Sequence, residues 1–232
     1  MSAPADAARM AGLQQARKTV MITGFGPFPG VPVNATMRLV PALAEAATKV
    51  FPGVRIASAI LATEWAAAPE RLTSLLDEIK PDLVVHFGVS ARARGFEIES
   101  RAANACVQLP DAAGVLPAGL AVRDGGPELI PASLPVRHIV ARLRRLGIPA
   151  FVSRDAGGYL CNATLYHSLI CARAAPVRSV GFVHVPATLG RAGGANRGRV
   201  GGRRLTWEQA FIGGIEILAT CLRREPVSSR VG

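Results

Sequence analysis

An α/β fold is what this sequence predicts: three layers in a single domain, with a mostly parallel twisted central sheet flanked by helices on both faces. Three observations predict it. From Thr19 to Phe87, short β-branched apolar runs alternate with stretches of helical periodicity, giving strand, helix, strand, helix, strand. One run, LVVHF at 83–87, is apolar without alternation, as strands are when both of their faces are covered. Aromatic residues make up only 5% of the 232 residues, and the abundance of Ala, Val, Leu and Gly suits helices on a sheet better than a β-sandwich. A chain of this length builds one substantial core, so 18–232 reads as a single domain preceded by a flexible, Ala-rich segment at 1–17.

The first strand is TVMIT, Thr19 to Thr23. It runs into GFGPFPGVPVN, a Gly- and Pro-rich loop carrying Phe25 and Phe28, two aromatics that either plug the core or line a pocket. Asn34 is placed to cap a helix whose apolar positions are Met37, Val40, Leu43 and Ala47. Val54 to Leu61 reads as the second strand and Glu64 to Ile79 as the second helix. After LVVHF, in which His86 reads as a core histidine, Gly88 to Arg94 is expected to turn.

Phe96 to Val107 then reads as a strand with charges set into it, Glu97, Glu99 and Arg101 sharing a face by period two. Leu109 to Ser133 is a Pro- and Gly-rich excursion longer than an ordinary connection. A third helix covers Leu134 to Leu146 and stops at Gly147, and Ala150 to Ser153 is the next strand. From Phe151 the chain passes through Asp155-Ala156-Gly157-Gly158 into a helix that reaches Cys171. Strand, glycine turn and helix deliver Cys161 to a first helical turn, where unpaired N–H groups and the dipole favour a thiolate. Val180 to Val185 is another buried strand with His184 at its carboxyl end, where open α/β sheets place ligand-facing residues. A Gly- and Arg-rich loop at 189–205 follows, and Thr206 with Gln209 forms a capping box for a last helix with Ile212, Ile215 and Leu218 on its apolar face.

Charge and cysteine usage weigh against several classes. The net charge of +11 invites nucleic acid, but the arginines are dispersed and only RGRVGGRR at 197–204 is dense. Four cysteines (106, 161, 171, 221) show neither a CxxC pair nor a zinc spacing, which argues against a metal site and for free thiols in a reducing compartment. Residues 1–18 contain no apolar core of a secretory leader, and no stretch of about 20 apolar residues spans a membrane.

Glu99, Cys161 and His184 stand at element ends. A cysteine nucleophile needs a base to take its proton, and the base needs a third group to hold its tautomer and charge. Spacing alone does not show that the three meet. The segments around them, TGFGPFPG (23–30), ESRAAN (99–104), SRDAGGYLCNATLY (153–166) and GFVHVP (181–186), resemble in order and approximate spacing those of the pyroglutamyl peptidase I family, over roughly residues 19 to 222. The resemblance implies a cytoplasmic cysteine exopeptidase, without metal or organic cofactor, that cleaves after an N-terminal pyroglutamyl residue. It implies Cys161 as nucleophile, His184 as general base and acid, Glu99 as its carboxylate partner, and Phe25 and Phe28 as walls around the lactam ring. N-terminally pyroglutamylated peptides are then the partners, with no membrane involved, and a homotetramer is the implied assembly. One departure stands out: Gln108 falls where bacterial members usually have an arginine, in a run one residue shorter. The alternatives are a catalytically silent relative that binds without cleaving, disfavoured because all three positions hold the required residue types, and last a basic nucleic-acid-binding protein.

Overall fold

Alternate residues of the central strands go to opposite faces of one sheet, and that division organises the molecule. The computed structural model describes residues 18–174, 177, 179–189 and 205–223. The strands are β1 (Thr19–Phe25), β2 (Arg55–Leu61), β3 (Leu83–Ser90), β4 (Phe96–Glu99), β5 (Arg101–Ala103), β6 (Leu129–Pro131), β7 (Ala150–Ser153) and β8 (Ser179–Pro186). The helices are α1 (Thr36–Val50), α2 (Ala67–Ile79), α3 (Val136–Arg145), α4 (Leu160–Ala174) and α5 (Trp207–Leu222). Six strands form the main sheet in the order β2-β1-β3-β8-β4-β7, and β5 and β6 form a separate ribbon. Every neighbouring pair in the main sheet is parallel except β4 against β8. This is the predicted α/β class.

On one face Val20 and Ile22 of β1, Val85 and Phe87 of β3, and Val183 and Val185 of β8 pack under α1, α3 and α5. On the other, Met21, Phe25, Val84, Val180 and Phe182 pack under α2 and α4 through residues such as Leu72, Leu165 and Tyr166. The same period puts four buried polar side chains on this second face: Thr23, His86, Glu99 and His184. The continuous apolar runs of β1, β3 and β8 therefore carry their chemistry on one side only.

Several boundaries differ from the sequence reading, each for a packing reason. Gly88 does not start a turn; β3 continues to Ser90, pairing Gly88 with His184 and Val89 with Val185. A Cβ at Gly88 would lie 2.6 Å from the Phe182 ring and 3.0 Å from Cys161 Sγ, so this glycine provides room rather than a bend. The strand expected over 96–107 breaks at Ser100, because β4 pairs within the main sheet while β5 pairs with β6. That ribbon also gives the Pro- and Gly-rich excursion a strand of its own. Asn34 does serve the start of α1, its Oδ1 accepting the Thr36 N–H at 3.0 Å, and the Thr206–Gln209 capping box is present. Met37 and Ile212, expected on apolar faces, are 40% and 44% exposed. Val40, Leu43, Ala47 and Leu218 do face inward as expected, joined by Thr36 and Leu39 in α1 and by Ala210, Gly213, Gly214 and Ile217 in α5, where small residues carry much of the packing. The N-terminal segment 1–17 and the dense basic run 197–204 lie outside the described residues.

Gly213 lets α5 approach the sheet. A Cβ there would collide with Cε2 of Phe96 and lie 2.8 Å from Cζ of that ring, which is fully buried. Alanine would gain about 1 kcal/mol of helix propensity, but overpacking a filled core costs about 1–3 kcal/mol. Gly213→Ala should therefore lower the urea midpoint of unfolding; an unchanged or raised midpoint would show that the Phe96 ring moves aside freely.

Candidate active site

The site forms where α4 begins over the carboxyl ends of β3 and β8. Gly157 adopts φ +79°, a left-handed conformation that glycine takes without cost, and the loop then enters α4 at Leu160. Cys161 is the second residue of the helix, its sulfur above Gly88. Asn162 ties this first turn to the sheet side: its Oδ1 accepts the Ala103 N–H at 2.9 Å, and its Nδ2 donates to the carbonyls of Ala103 and Ala105 at 2.8 and 3.0 Å. Two turns on, Ser168 Oγ lies 2.8 Å from Nε2 of His86, whose Nδ1 lies 2.6 Å from Thr23 Oγ1. His86 is fully buried, and burial first, then the charge of His167, holds its pKa down to about 3. It is a neutral clamp between helix and sheet, in keeping with a core histidine.

β4 runs antiparallel to β8 with Glu97 opposite His184, so Glu97, Glu99, Phe182 and His184 share a face. His184 Nδ1 donates to Glu99 Oε1 at 2.8 Å, which leaves Nε2 for Cys161. Glu99 is wholly buried and its Oε2 has no hydrogen-bond partner. Burial alone would lower the His184 pKa; the charge and hydrogen bonding of Cys161, followed by Glu99, outweigh it and raise the pKa to about 10. A protonated imidazole thus sits between a buried carboxyl group and a partly buried thiol. Glu97 is less buried, and burial first pushes its carboxyl up, with His184 and Arg92 opposing and Glu99 reinforcing. One potential ligand atom each from Glu97, Glu99 and His184 lies within 4.8 Å of the others, and His184 Nδ1 is already bonded to Glu99.

A cavity of about 810 Å³ opens beside these groups, its lining including Phe25, Phe28, Tyr159, Cys161 and His184, with Arg92, Glu97 and Asp155 among its polar groups. The structure thus brings together Cys161, His184 and Glu99, and places Phe25 and Phe28 on the same cavity. Phe25 is buried 6.1 Å from the Phe182 ring, so it belongs to both core and wall. Sequence reasoning missed Tyr159. Its ring packs 5.9 Å from Phe28 and edge-on to Trp65 at 5.2 Å, and its hydroxyl donates to the Pro110 carbonyl. Its position two residues before the cysteine was the available signal. Asp111 was missed too: wholly within the excursion, it accepts backbone N–H groups of Trp65, Ala113 and Val115 and pins that loop beside the cavity. Gln108 donates to the Gly119 carbonyl at 3.0 Å and does not line the cavity.

Comparison with known proteins agrees with this geometry. A family model described as pyroglutamyl peptidase matches residues 18–196. The pyrrolidone-carboxylate peptidase of Gloeobacter violaceus is 39% identical over 171 residues, 72% of this chain and 80% of the relative. That of Pyrococcus furiosus is 35% identical over 175 residues, again 72% and 80%. The crystal structure of Bacillus amyloliquefaciens pyroglutamyl peptidase I superposes with a TM-score of 0.77 at 27% identity, covering 89% of this chain and 98% of that one.

The His184 imidazole should stay protonated to about pH 10 in the reduced protein, read by NMR of the ring. Cys161→Ser should lower that midpoint further than Glu99→Gln, since the sulfur is the larger of the two raising influences. A midpoint near the ordinary histidine value in the unsubstituted protein would refute the coupling of His184 to Cys161 and Glu99.

Proposed function

The chain belongs to the pyroglutamyl peptidase family, and from that premise we propose that Cys161, His184 and Glu99 carry its catalysis. It is a cysteine exopeptidase that hydrolyses the amide bond after an N-terminal pyroglutamyl residue, releasing pyroglutamate. The observation that carries the residue assignment is the buried Glu99–His184 bond at 2.8 Å beside Cys161 at a helix start.

Phe25, Phe28 and Tyr159 hold the lactam ring, which has no ammonium charge and presents flat, partly apolar faces. The Cys161 thiolate attacks the pyroglutamyl carbonyl carbon and forms a C–S bond, while N–H groups at the start of α4 stabilise the oxyanion. His184 gives its proton to the leaving nitrogen, the C–N bond breaks, and a thioester remains. The now neutral His184 takes a proton from water as it attacks the thioester, and pyroglutamate leaves with the thiolate restored. Glu99 holds the imidazole orientation and balances its charge throughout. The finer expectations stand with this proposal. A cytoplasmic location is supported by four cysteines in no disulfide. A homotetramer is supported by the family resemblance and by exposed Val115, Leu116 and Leu120 on the excursion. No helix among the described residues is long and apolar enough to cross a membrane.

A pyroglutamyl-aminocoumarin substrate should be cleaved under reducing conditions. Cys161→Ser should abolish turnover, and His184→Ala should cost about two to four powers of ten. Glu99→Gln should keep measurable activity. The rate should fall as pH rises through about 10, where His184 loses the proton owed to the leaving amine. Reduced protein with alkylatable Cys161 and no cleavage from neutral to mildly alkaline pH would sink the assignment.

A further inference from the structure

Four residues form a single row across the sheet. Gly88 of β3 pairs with His184 of β8, and Glu97 of β4 pairs with His184 from the other side. On β1, Thr23 pairs with His86, so the row extends to Phe25, two residues further along. Neighbouring strands are about 5 Å apart, so the row spans about 15 Å, room for the ~7 Å backbone of an extended dipeptide with a side chain reaching beyond each end. Cys161 stands over Gly88 and marks the scissile carbonyl. With the reading above as premise, the lactam lies toward Phe25, the leaving nitrogen lies at His184, and the side chain after pyroglutamate falls at Glu97.

Glu97 differs from Glu99 in what is available to it. Glu99 is wholly buried behind His184. Glu97 is partly exposed and lines the cavity, and among the described residues it forms no ion pair. The charges facing it are His184 from β8, Glu99 from its own strand and Arg92 from the loop between β3 and β4. Arg92 is exposed, so solvent screens it more than it screens Glu97. Asp155 adds a second carboxylate to the cavity lining. Within the site, His184 is already balanced by Glu99 and Cys161, so the leaving-group end is acidic in a chain whose net charge is +11.

We propose that Glu97 sets the specificity of this enzyme for the residue after pyroglutamate, favouring a cationic side chain there. A guanidinium or ammonium at that position gains a half-desolvated carboxylate partner, whereas a carboxylate side chain meets Glu97 and Asp155 with like charge. A partly solvated pair of this kind is worth a few-fold in rate, not orders of magnitude.

The test compares pyroglutamyl-arginyl, -alanyl and -glutamyl peptides with the reduced protein at low salt, following pyroglutamate release by chromatography. The arginyl peptide should exceed the glutamyl peptide in kcat/KM by about three- to tenfold, with alanyl between them. Glu97→Gln should bring that ratio toward one. Arg92→Gln, at an exposed loop position, should raise it. A ratio at or below one in the unsubstituted protein, or a ratio unchanged by Glu97→Gln, overturns the proposal while alanyl-peptide cleavage still upholds the peptidase reading. Failure to release pyroglutamate even from the alanyl peptide overturns the peptidase reading, and this proposal falls with it.

Discussion

A carboxylate with no access to solvent sets the terms for everything around it. Glu99 is fully buried, one oxygen bonded to His184 and the other without a partner. A lone charge in that position is costly, and pairing offsets the cost only when the partner is itself charged and well oriented. His184 meets the condition by holding its proton far above the ordinary histidine range, to about 10. A buried imidazolium in turn favours an anion on its other nitrogen, and Cys161 is the group placed there. The proton on His184 thus depends on both neighbours, on Cys161 first and on Glu99 second. The unpaired Oε2 keeps Glu99 dependent on that one bond.

Such a charge sequence works only if the elements that bear it are held in place, and the polar contacts under α4 do that. Glu99 comes from β4, His184 from β8 and Cys161 from α4, three elements with no continuity in sequence. Asn162 links the first turn of α4 to the backbone just past Glu99, at Ala103 and Ala105. His86 links the third turn to β1 and β3 through Ser168 and Thr23. Helix rotation or sliding would break these bonds in a buried setting, where an unmade hydrogen bond costs about 1–3 kcal/mol. The low pKa of His86 fits its part: a neutral ring can both donate and accept, as a clamp between two hydroxyls requires.

The sheet was legible in the sequence because buried strands advertise themselves. TVMIT, LVVHF and VGFVHV are apolar on both faces, and each lies in the main sheet. Their ends were less legible, since pairing and not propensity sets them. Gly88 looks like a turn residue in one dimension and becomes the only small enough occupant beneath Cys161 and Phe182 in three. Met37 and Ile212 were placed inward by hydrophobicity, while α1 turns Leu39, Val40 and Leu43 to the core and α5 turns Ala210, Gly213 and Gly214 there beside Ile217 and Leu218. The names of the three catalytic candidates came from local motifs, but their meeting depends on the reversal of β4 beside β8. Period two put Glu97 and Glu99 on one face; nothing in the spacing says that this face is the one His184 occupies.

That reversal also gives the site its direction. In an all-parallel sheet, β4 would present its carboxyl end at the rim and carry Glu99 there with it. Running antiparallel, β4 instead enters from the rim at Phe96, shows Glu97 in the row of His184, and takes Glu99 two residues deeper. One strand thereby supplies two carboxylates with different environments: the buried one can only orient and balance the imidazole, while the shallower one faces the cavity. The aromatic wall is built at the other end of the row, where β1 runs into its Pro-rich loop and Tyr159 packs on Phe28. The cavity therefore has an apolar end and an acidic end, separated by the thiol and the imidazole. The overall charge of the chain, by contrast, has no share in that polarity, because the groups that create it are the few that the sheet brings into one row.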